Sequence, residues 1–246
     1  AHRSAPAGVL RDAAAALLGA GDRGPNSVVA FELSLRSRLV ATSAEAKLRE
    51  AFDKRQFWLL YMPVVAVTDE TIVGVEALLR WADPERGLMG TAEFLQALEE
   101  TGLIVPLGAW VIDEACRQSR EWLDQIPDLD LTTTVNVSPT QLADDRFVED
   151  VLAPALARHR LPADRLCLEI TESGSHRGEA TWPTLRMVKE LGVQLALDDF
   201  GVGFASLTTI RSAQLDVIKI DPSFVQAITE SREGLAIVQQ IVGMAH

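Results

Sequence analysis

The chain has 246 residues, a formal net charge of −12 and a hydrophobic content of 48%. This length and composition are typical of one large α/β domain with a sizeable core. The acidity excludes a general affinity for DNA or RNA, because proteins that bind nucleic acids in bulk are usually basic. A phosphate-containing ligand stays possible if metal ions offset the carboxylates.

Cys116 and Cys167 are the only cysteines, and each lies in an apolar pattern. We interpret both as reduced core residues, as expected in a reducing compartment. The sequence shows neither a signal peptide nor an apolar run of membrane-spanning length. A cytoplasmic location is therefore predicted, and a membrane anchor elsewhere in a longer parent protein stays compatible with it.

The first residues are predicted to form a short helix at Val9–Leu18 and a strand at Ser27–Phe31, separated by a cluster of glycine and proline. Glu32–Phe52 is predicted to be a connecting helix, since its apolar residues recur at roughly helical spacing. One helix and one strand cannot bury a core alone. An arbitrary amphipathic lead-in is therefore one interpretation of this segment.

From Phe57 onward, predicted strands alternate with predicted helices. Short apolar runs bounded by turn residues indicate six strands: Phe57–Ala66, Thr71–Trp81, Leu131–Val137, Leu166–Thr171, Gln194–Asp198 and Val217–Ile220. Segments of helical periodicity indicate helices: Ala92–Thr101, Leu107–Leu123, Pro139–Arg158 with a break near Asp144, Ala180–Leu191, Phe204–Arg211 and Glu233–Ala245. Repeated strand–helix units favour a parallel sheet and a (β/α) barrel, which needs eight strands, two more than we count.

The second strand, Thr71–Trp81, carries an acid and a base on one face. Side chains alternate along a strand, so Glu76, Leu78 and Arg80 point the same way. Burying charges in an apolar environment is costly, which favours a face that opens onto a polar pocket. A structural Glu–Arg pair at a strand end is the alternative.

Glu76-Ala77-Leu78 and the residues after it resemble the signature of EAL domains, the cyclic di-GMP phosphodiesterases. Further motifs follow in that family's order: Asn136-Val137-Ser138, Glu169-Ile170-Thr171-Glu172, Asp198-Asp199-Phe200-Gly201 and Lys219-Ile220-Asp221. The resemblance implies an EAL-type (β/α) TIM-like barrel over residues 48–246. Residues 1–47 loosely resemble the end of a GGDEF domain followed by a connecting helix.

The resemblance also implies a metal site. In EAL domains the residues that match Glu76, Asn136, Glu169 and Asp198 bind one ion, and the residue that matches Asp199 reaches a second. Carboxylate and amide oxygens are hard ligands, which suit Mg²⁺ or Mn²⁺. For any single carboxylate, a strand-end cap or a salt bridge is the alternative.

Four further positions are assigned to the site by the same resemblance. Lys219 is expected beside the metals, where it orients water or phosphate, and a structural ion pair with an aspartate is compatible with that role. Arg80 is the expected phosphate contact, because guanidinium binds phosphate oxygens bidentately. Leu78 and Met62 are expected to contact the substrate.

The loop Asp198–Ser206 follows a predicted strand and contains two glycines. An ordinary turn is one interpretation. In EAL domains this loop couples ligand binding to dimerisation, and the residue that matches Glu172 anchors it. The chain is therefore expected to form a homodimer, although Val202 and Phe204 replace the threonine and tyrosine that are common in the family.

Two departures from the family bear on activity. Met62 stands where the family usually has a glutamine that contacts the dinucleotide, and methionine cannot replace the amide hydrogen bonds. Family members also continue beyond the position of His246 into two strands, the first with a glutamate that is the general base. We expect the C-terminal strands to be cut from this chain, and residues 1–246 alone to lack activity.

The function that the resemblance implies is hydrolysis of cyclic di-GMP to linear pGpG with two divalent ions. A catalytically inactive cyclic di-GMP receptor or a regulatory dimerisation module is the alternative. In either case the parent protein is expected to carry an upstream GGDEF or sensor domain.

Overall fold

The computed structural model of the chain describes residues 44–126, 129–171, 178–201 and 214–245. The predicted elements before residue 44 and the predicted helix Phe204–Arg211 lie outside these ranges. The chain divides into two compact units, Ala1–Gln56 with Ala92–Leu103, and Phe57–Thr91 with Ile104–His246. Each unit is described by itself.

The described part of the first unit contains two helices. Helix α1 covers residues 44–53 and buries Leu48 and Ala51. Helix α2, Leu95–Thr101, buries Leu98 and ends at Gly102, whose positive φ of 73° is the left-handed conformation that glycine adopts without a steric penalty. Burial at these positions agrees with the helical spacing that predicted both segments.

The second unit is built on a seven-stranded sheet. Its strands are β1 (Phe57–Val65), β2 (Ile72–Asp83), β3 (Gly87–Gly90), β4 (Thr132–Asn136), β5 (Leu166–Thr171), β6 (Gln194–Phe200) and β7 (Val217–Ile220). Along the sheet the order is β1-β2-β4-β5-β6-β7, and β3 pairs with β2 at its far end. The hairpins β1–β2 and β2–β3 are antiparallel, and every later pair is parallel.

Strands in sequence order that pair in parallel confirm the predicted α/β architecture, because this is the order of a (β/α) barrel. Within the described residues the sheet is open between β1 and β7. The predicted hairpin of the first two strands is also confirmed, with Asp69 accepting hydrogen bonds from Thr71 in the turn.

One face of the sheet forms the hydrophobic core. Val135, Leu168 and Leu195 are fully buried there, and helix α3 (Ile104–Gln125) contacts β1 and β4. The other α-helices in the described part of this unit are the short α4 (Pro139–Leu142), α5 (Ala153–His159), α6 (Gly178–Glu190), α7 (Pro222–Glu230) and α8 (Arg232–Ala245). Because side chains alternate along a strand, the residues between the core positions point to the opposite face.

The segment Pro139–Arg158 is helical with a break near Asp144, as predicted, because α4 ends at Leu142 and a π-helical stretch, Phe147–Leu152, leads directly into α5. Two further elements were not predicted from the sequence. Strand β3 was missed because it has four residues, although Asp83 and Gly87 provide the turn before it. Helix α7 was also missed, although Asp221 caps its first turn by accepting a hydrogen bond from the Ser223 backbone and Pro222 follows at the position that proline favours.

Within the ranges that the structure describes, no single helix is long and apolar enough to cross a membrane.

The turn after β4 is locked by a reciprocal pair of hydrogen bonds. The Ser138 side chain accepts from the Gln141 backbone N–H at 3.3 Å, and the Gln141 side chain accepts from the Ser138 backbone N–H at 3.1 Å. Gln141 is buried against Gly108 of α3, where an added β-carbon would lie 2.1 Å from its Nε2 atom. Only a glycine therefore leaves room for this cap.

We expect Gly108→Ala to lower the free energy of unfolding by about 1–2 kcal/mol, because the new methyl group displaces the capping amide. Urea denaturation measures the change. Gly243→Ala in α8 is the matched control, since no atom of the described residues outside its own helix backbone lies within 4 Å of its added β-carbon. The control is expected to be neutral or stabilising, as alanine favours a helix over glycine. Equal stability of the two variants would contradict the prediction.

Candidate active site

Five polar side chains from five different strands meet on the face of the sheet opposite the core. Glu76 lies on β2, Asn136 ends β4, and Glu169, Asp198 and Lys219 lie on β5, β6 and β7. The register brings them together, because Asn136 pairs directly with Glu169 and Asp198 pairs with Thr171. The four parallel strands β4 to β7 place these residues toward their carboxyl ends, where (β/α) barrels carry their chemistry.

Lys219 is the centre of this group. Its ammonium donates to Oε2 of Glu76 at 3.1 Å, forms a hydrogen bond with Oε1 of Glu169 and lies 3.5 Å from Oδ1 of Asp198. Asn136 joins the group through its Nδ2 atom, which donates to Oε1 of Glu76 at 2.9 Å. All four residues that were predicted to bind the first ion are thus connected to Lys219, either directly or, for Asn136, through Glu76.

Burial makes the charges of this group strongly interdependent. Glu169 is 1% exposed. Desolvation and the neighbouring Asp198 carboxylate raise the pKa of Glu169 to about 8, against the lowering effect of Lys219. Burial lowers the pKa of Lys219, but its ion pairs with Glu169 and Glu76 outweigh that effect and hold the pKa above its usual value. The lysine is therefore positively charged at neutral pH.

Asp199 follows Asp198 but leaves the regular strand geometry. Its φ of 55° is left-handed, and the pairing of β6 with β7 slips between Leu197 and Phe200. Burial and the negative charges of Asp198 and Asp221 raise the pKa of Asp199. This bulge separates the two aspartates, so that Asp198 joins the lysine cluster while Asp199 stays exposed beside it.

Strand β1, the antiparallel partner of β2, lies beside the polar cluster. Met62 pairs directly with Glu76, Leu60 with Leu78, and Trp58 with Arg80. Residues that pair across two strands share a face, so Met62 lies on the side of the carboxylate cluster and is 50% exposed. Leu78 is half-buried on the same face.

The comparisons with known proteins identify the family to which this geometry belongs. A family model described as "EAL domain" matches residues 45–246. The chain belongs to the EAL domain family. Its α/β fold with a mostly parallel sheet is that of solved EAL domains, as the sequence predicted.

Relatives of this EAL domain include proteins named for cyclic di-GMP chemistry. The bifunctional diguanylate cyclase/cyclic di-GMP phosphodiesterase MucR of Pseudomonas aeruginosa is 39% identical over 238 residues, 96% of this chain and 34% of MucR. The chain thus spans about a third of that relative's length. The structure of PaMucR phosphodiesterase in complex with c-di-GMP superposes with a TM-score of 0.76 at 40% identity, over 82% of this chain and 81% of that chain.

A further similar structure is the FimX EAL domain from Pseudomonas aeruginosa bound to c-di-GMP. It has a TM-score of 0.70 at 28% identity and covers 81% of this chain and 79% of that chain. Two EAL domains of known structure that this chain resembles are therefore bound to the same dinucleotide.

The donor set of this EAL domain fits a divalent ion. Oε2 of Glu169 is buried and has no hydrogen-bond partner among the described residues, so this oxygen is available to a ligand. In the described ranges, no group of three or more His, Cys, Asp or Glu is already arranged around a metal position. The Lys219 ammonium lies among the three carboxylates, where it provides positive charge.

Some predicted site residues are not brought into the cluster. The Arg80 guanidinium donates to the neighbouring Leu79 carbonyl at 2.8 Å. Glu172 and the loop residues after Gly201, including Val202 and Phe204, lie outside the described residues. Asp216, directly before β7, forms an ion pair with Lys189. It was not predicted as a site residue, because the only sequence signal was an acid ahead of an apolar strand.

We expect Lys219→Met to lower the free energy of unfolding at neutral pH in chelator by about 2–3 kcal/mol. The substitution keeps the length of the side chain but leaves three carboxylates without their cation, and the partial exposure of Lys219 limits the loss. Urea denaturation measures the change. Lys189→Met is the control, because its partly exposed ion pair is worth less than about 1 kcal/mol. An equal loss in both variants would show that the cluster has no special electrostatic role.

Proposed function

We propose that this chain is a phosphodiesterase domain that hydrolyses one phosphodiester bond of cyclic di-GMP to give linear pGpG, in bacterial second-messenger signalling. The observation that carries the proposal is the cluster of Glu76, Asn136, Glu169, Asp198 and Lys219 around one ammonium group. The names of MucR and of its c-di-GMP complex support the choice of substrate.

Two divalent ions, Mg²⁺ or Mn²⁺, are part of the proposal. Glu76, Asn136, Glu169 and Asp198 would hold the first ion, and Asp199 would reach the second. When bound, such a pair supplies an activated water and stabilises the leaving oxygen of a phosphodiester. The unpartnered Oε2 of Glu169 and the oxygen-rich donor set support this assignment.

The side chains of the chain itself have separate tasks in this mechanism. The Asn136 amide fixes the orientation of the Glu76 carboxylate through its 2.9 Å hydrogen bond. The Lys219 ammonium, held by three carboxylates, is positioned to orient water or a phosphate oxygen by hydrogen bonding. Arg80 would bind phosphate after its guanidinium leaves the Leu79 carbonyl, and Leu78 and Met62 would contact the dinucleotide.

A cyclic di-GMP receptor without activity is the second candidate. Met62 favours it, because this side chain pairs with Glu76 but cannot form the amide hydrogen bonds of a glutamine. Binding of cyclic di-GMP without turnover would support the receptor or a regulatory dimerisation module. Turnover would support the enzyme.

The wider arrangement of the protein belongs to the same proposal. A boundary near residue 47 would separate the EAL domain from a GGDEF-like segment, and a GGDEF or sensor domain upstream would regulate it. Homodimerisation and a cytoplasmic location complete the proposal. The bifunctional name of MucR supports a GGDEF partner.

We expect the full-length gene product to convert cyclic di-GMP to pGpG with Mg²⁺ or Mn²⁺. Chromatography of the nucleotides measures this conversion. Glu76→Ala and Asp198→Ala should each remove most of this activity, because each deletes a proposed ligand. Excess chelator should have the same effect. Full activity in chelator would refute the two-metal mechanism.

We expect Met62→Gln to tighten binding of cyclic di-GMP by about 0.5–1.5 kcal/mol, the value of one hydrogen bond. Calorimetry on the full-length protein measures the change. Val67→Gln is the matched control, because Val67 is 98% exposed at the far tip of the same hairpin and should leave affinity unchanged. Unchanged or weaker binding by Met62→Gln would mean that residue 62 does not contact the ligand.

A further inference from the structure

The position of Lys219 depends on a very short strand. Strand β7 has four residues, and only Val217 and Ile218 pair in regular register with β6 before the ladder slips at the aspartate bulge. A strand with so few backbone hydrogen bonds is weakly fixed along its own direction. The same strand must hold an ammonium within reach of three carboxylates.

Asp216 lies directly before this strand and binds β6 twice. Its backbone N–H donates to the Leu195 carbonyl at 2.9 Å, and its Oδ2 atom accepts from the Leu195 N–H at 2.8 Å. The side chain therefore takes the place that a strand carbonyl would have in the ladder. Lys189 at the end of α6 donates to the same Oδ2 atom at 2.5 Å and fixes the carboxylate from the helix side.

We propose that Asp216 is a positioning residue that fixes the register of β7 on β6 and thereby places the Lys219 ammonium among Glu76, Glu169 and Asp198. The part of this inference that concerns catalysis rests on the proposed function. The part that concerns register rests only on the contacts of Leu195 and Lys189 with Asp216.

The geometry of a strand explains why register matters here. A slip of β7 by one residue would turn Lys219 to the core face of the sheet. A slip by two residues would keep the face but move the ammonium by about 6.6 Å, beyond hydrogen-bond distance of its present partners. Asp216 is three residues before Lys219, so a bond at Leu195 opposes both displacements.

Hydrogen–deuterium exchange on the full-length gene product tests the register. In Asp216→Ala we expect the amides of residues 217–220 to exchange about 10- to 100-fold faster, since a charged hydrogen-bond acceptor is lost. The amides of β5 should keep their wild-type rates. Lys189→Met should retain most of the protection of β7, because the bond from Leu195 remains.

Asp216→Asn covers the case in which the alanine variant fails to fold. Its amide oxygen can still accept from Leu195 but is a weaker acceptor than a carboxylate, so a several-fold increase confined to β7 is expected. Unchanged exchange of β7, or an equal increase in all strands, would overturn the proposal. A uniform increase would show that Asp216 contributes only to overall stability.

Kinetics on the same variants test the connection to Lys219. We expect Asp216→Ala to lower kcat by about 10- to 100-fold with little change in KM, because a misplaced group costs rate more than binding. In a Lys219→Met background, Asp216→Ala should cause no further loss. An additive loss would overturn the assignment to Lys219. Absence of hydrolysis by the wild type would refute the proposed function, while the exchange data still decide the register.

Discussion

The constraint on which this site depends is the repulsion among carboxylates that converge on one face of a sheet. Glu76 and Glu169 are buried there, so water cannot stabilise their charges, and Asp198 lies beside them with 24% of its side chain exposed. The Lys219 ammonium contacts all three and provides the opposite charge. Even so, the pKa of Glu169 is raised to about 8, because desolvation outweighs the lysine. The surroundings of Glu169 therefore favour its charged form less than water does, even with the lysine beside it.

The same strands carry the residues of the polar cluster on one face of the sheet and core residues on the other. On β5, Leu166, Leu168 and Ile170 face the helices and are buried, while Cys167 and Glu169 between them face the other side. The period of two in a strand makes this division possible, since a core position and a site position alternate along each strand. A consequence is that rigid packing on one face fixes the backbone that carries the chemistry on the other.

Many local features followed from the sequence because their signals are local. The predicted strands Thr71–Trp81 and Leu166–Thr171 are confirmed, the first with bounds Ile72–Asp83, and Cys116 and Cys167 are confirmed as buried free thiols. Strand β3 and helix α7 were missed for a different reason. A four-residue strand that begins and ends with glycine gives too short a pattern, and Asp221 was assigned to a motif rather than to the start of a helix.

The sequence by itself determined which chemical groups are available and in which order the strands carry them, because residue type and periodicity are local properties. Periodicity therefore predicted the parallel α/β architecture, and the resemblance to EAL domains pointed to the five residues of the cluster. Tertiary structure decided the pairings, since contacts such as that of Lys219 with Glu76 join residues 143 positions apart. It also placed Met62 opposite Glu76, turned Asp199 away from Asp198 through a left-handed residue, and used Asp216 in the place of a ladder carbonyl. Each of these depends on the register between strands, which residue spacing alone does not fix.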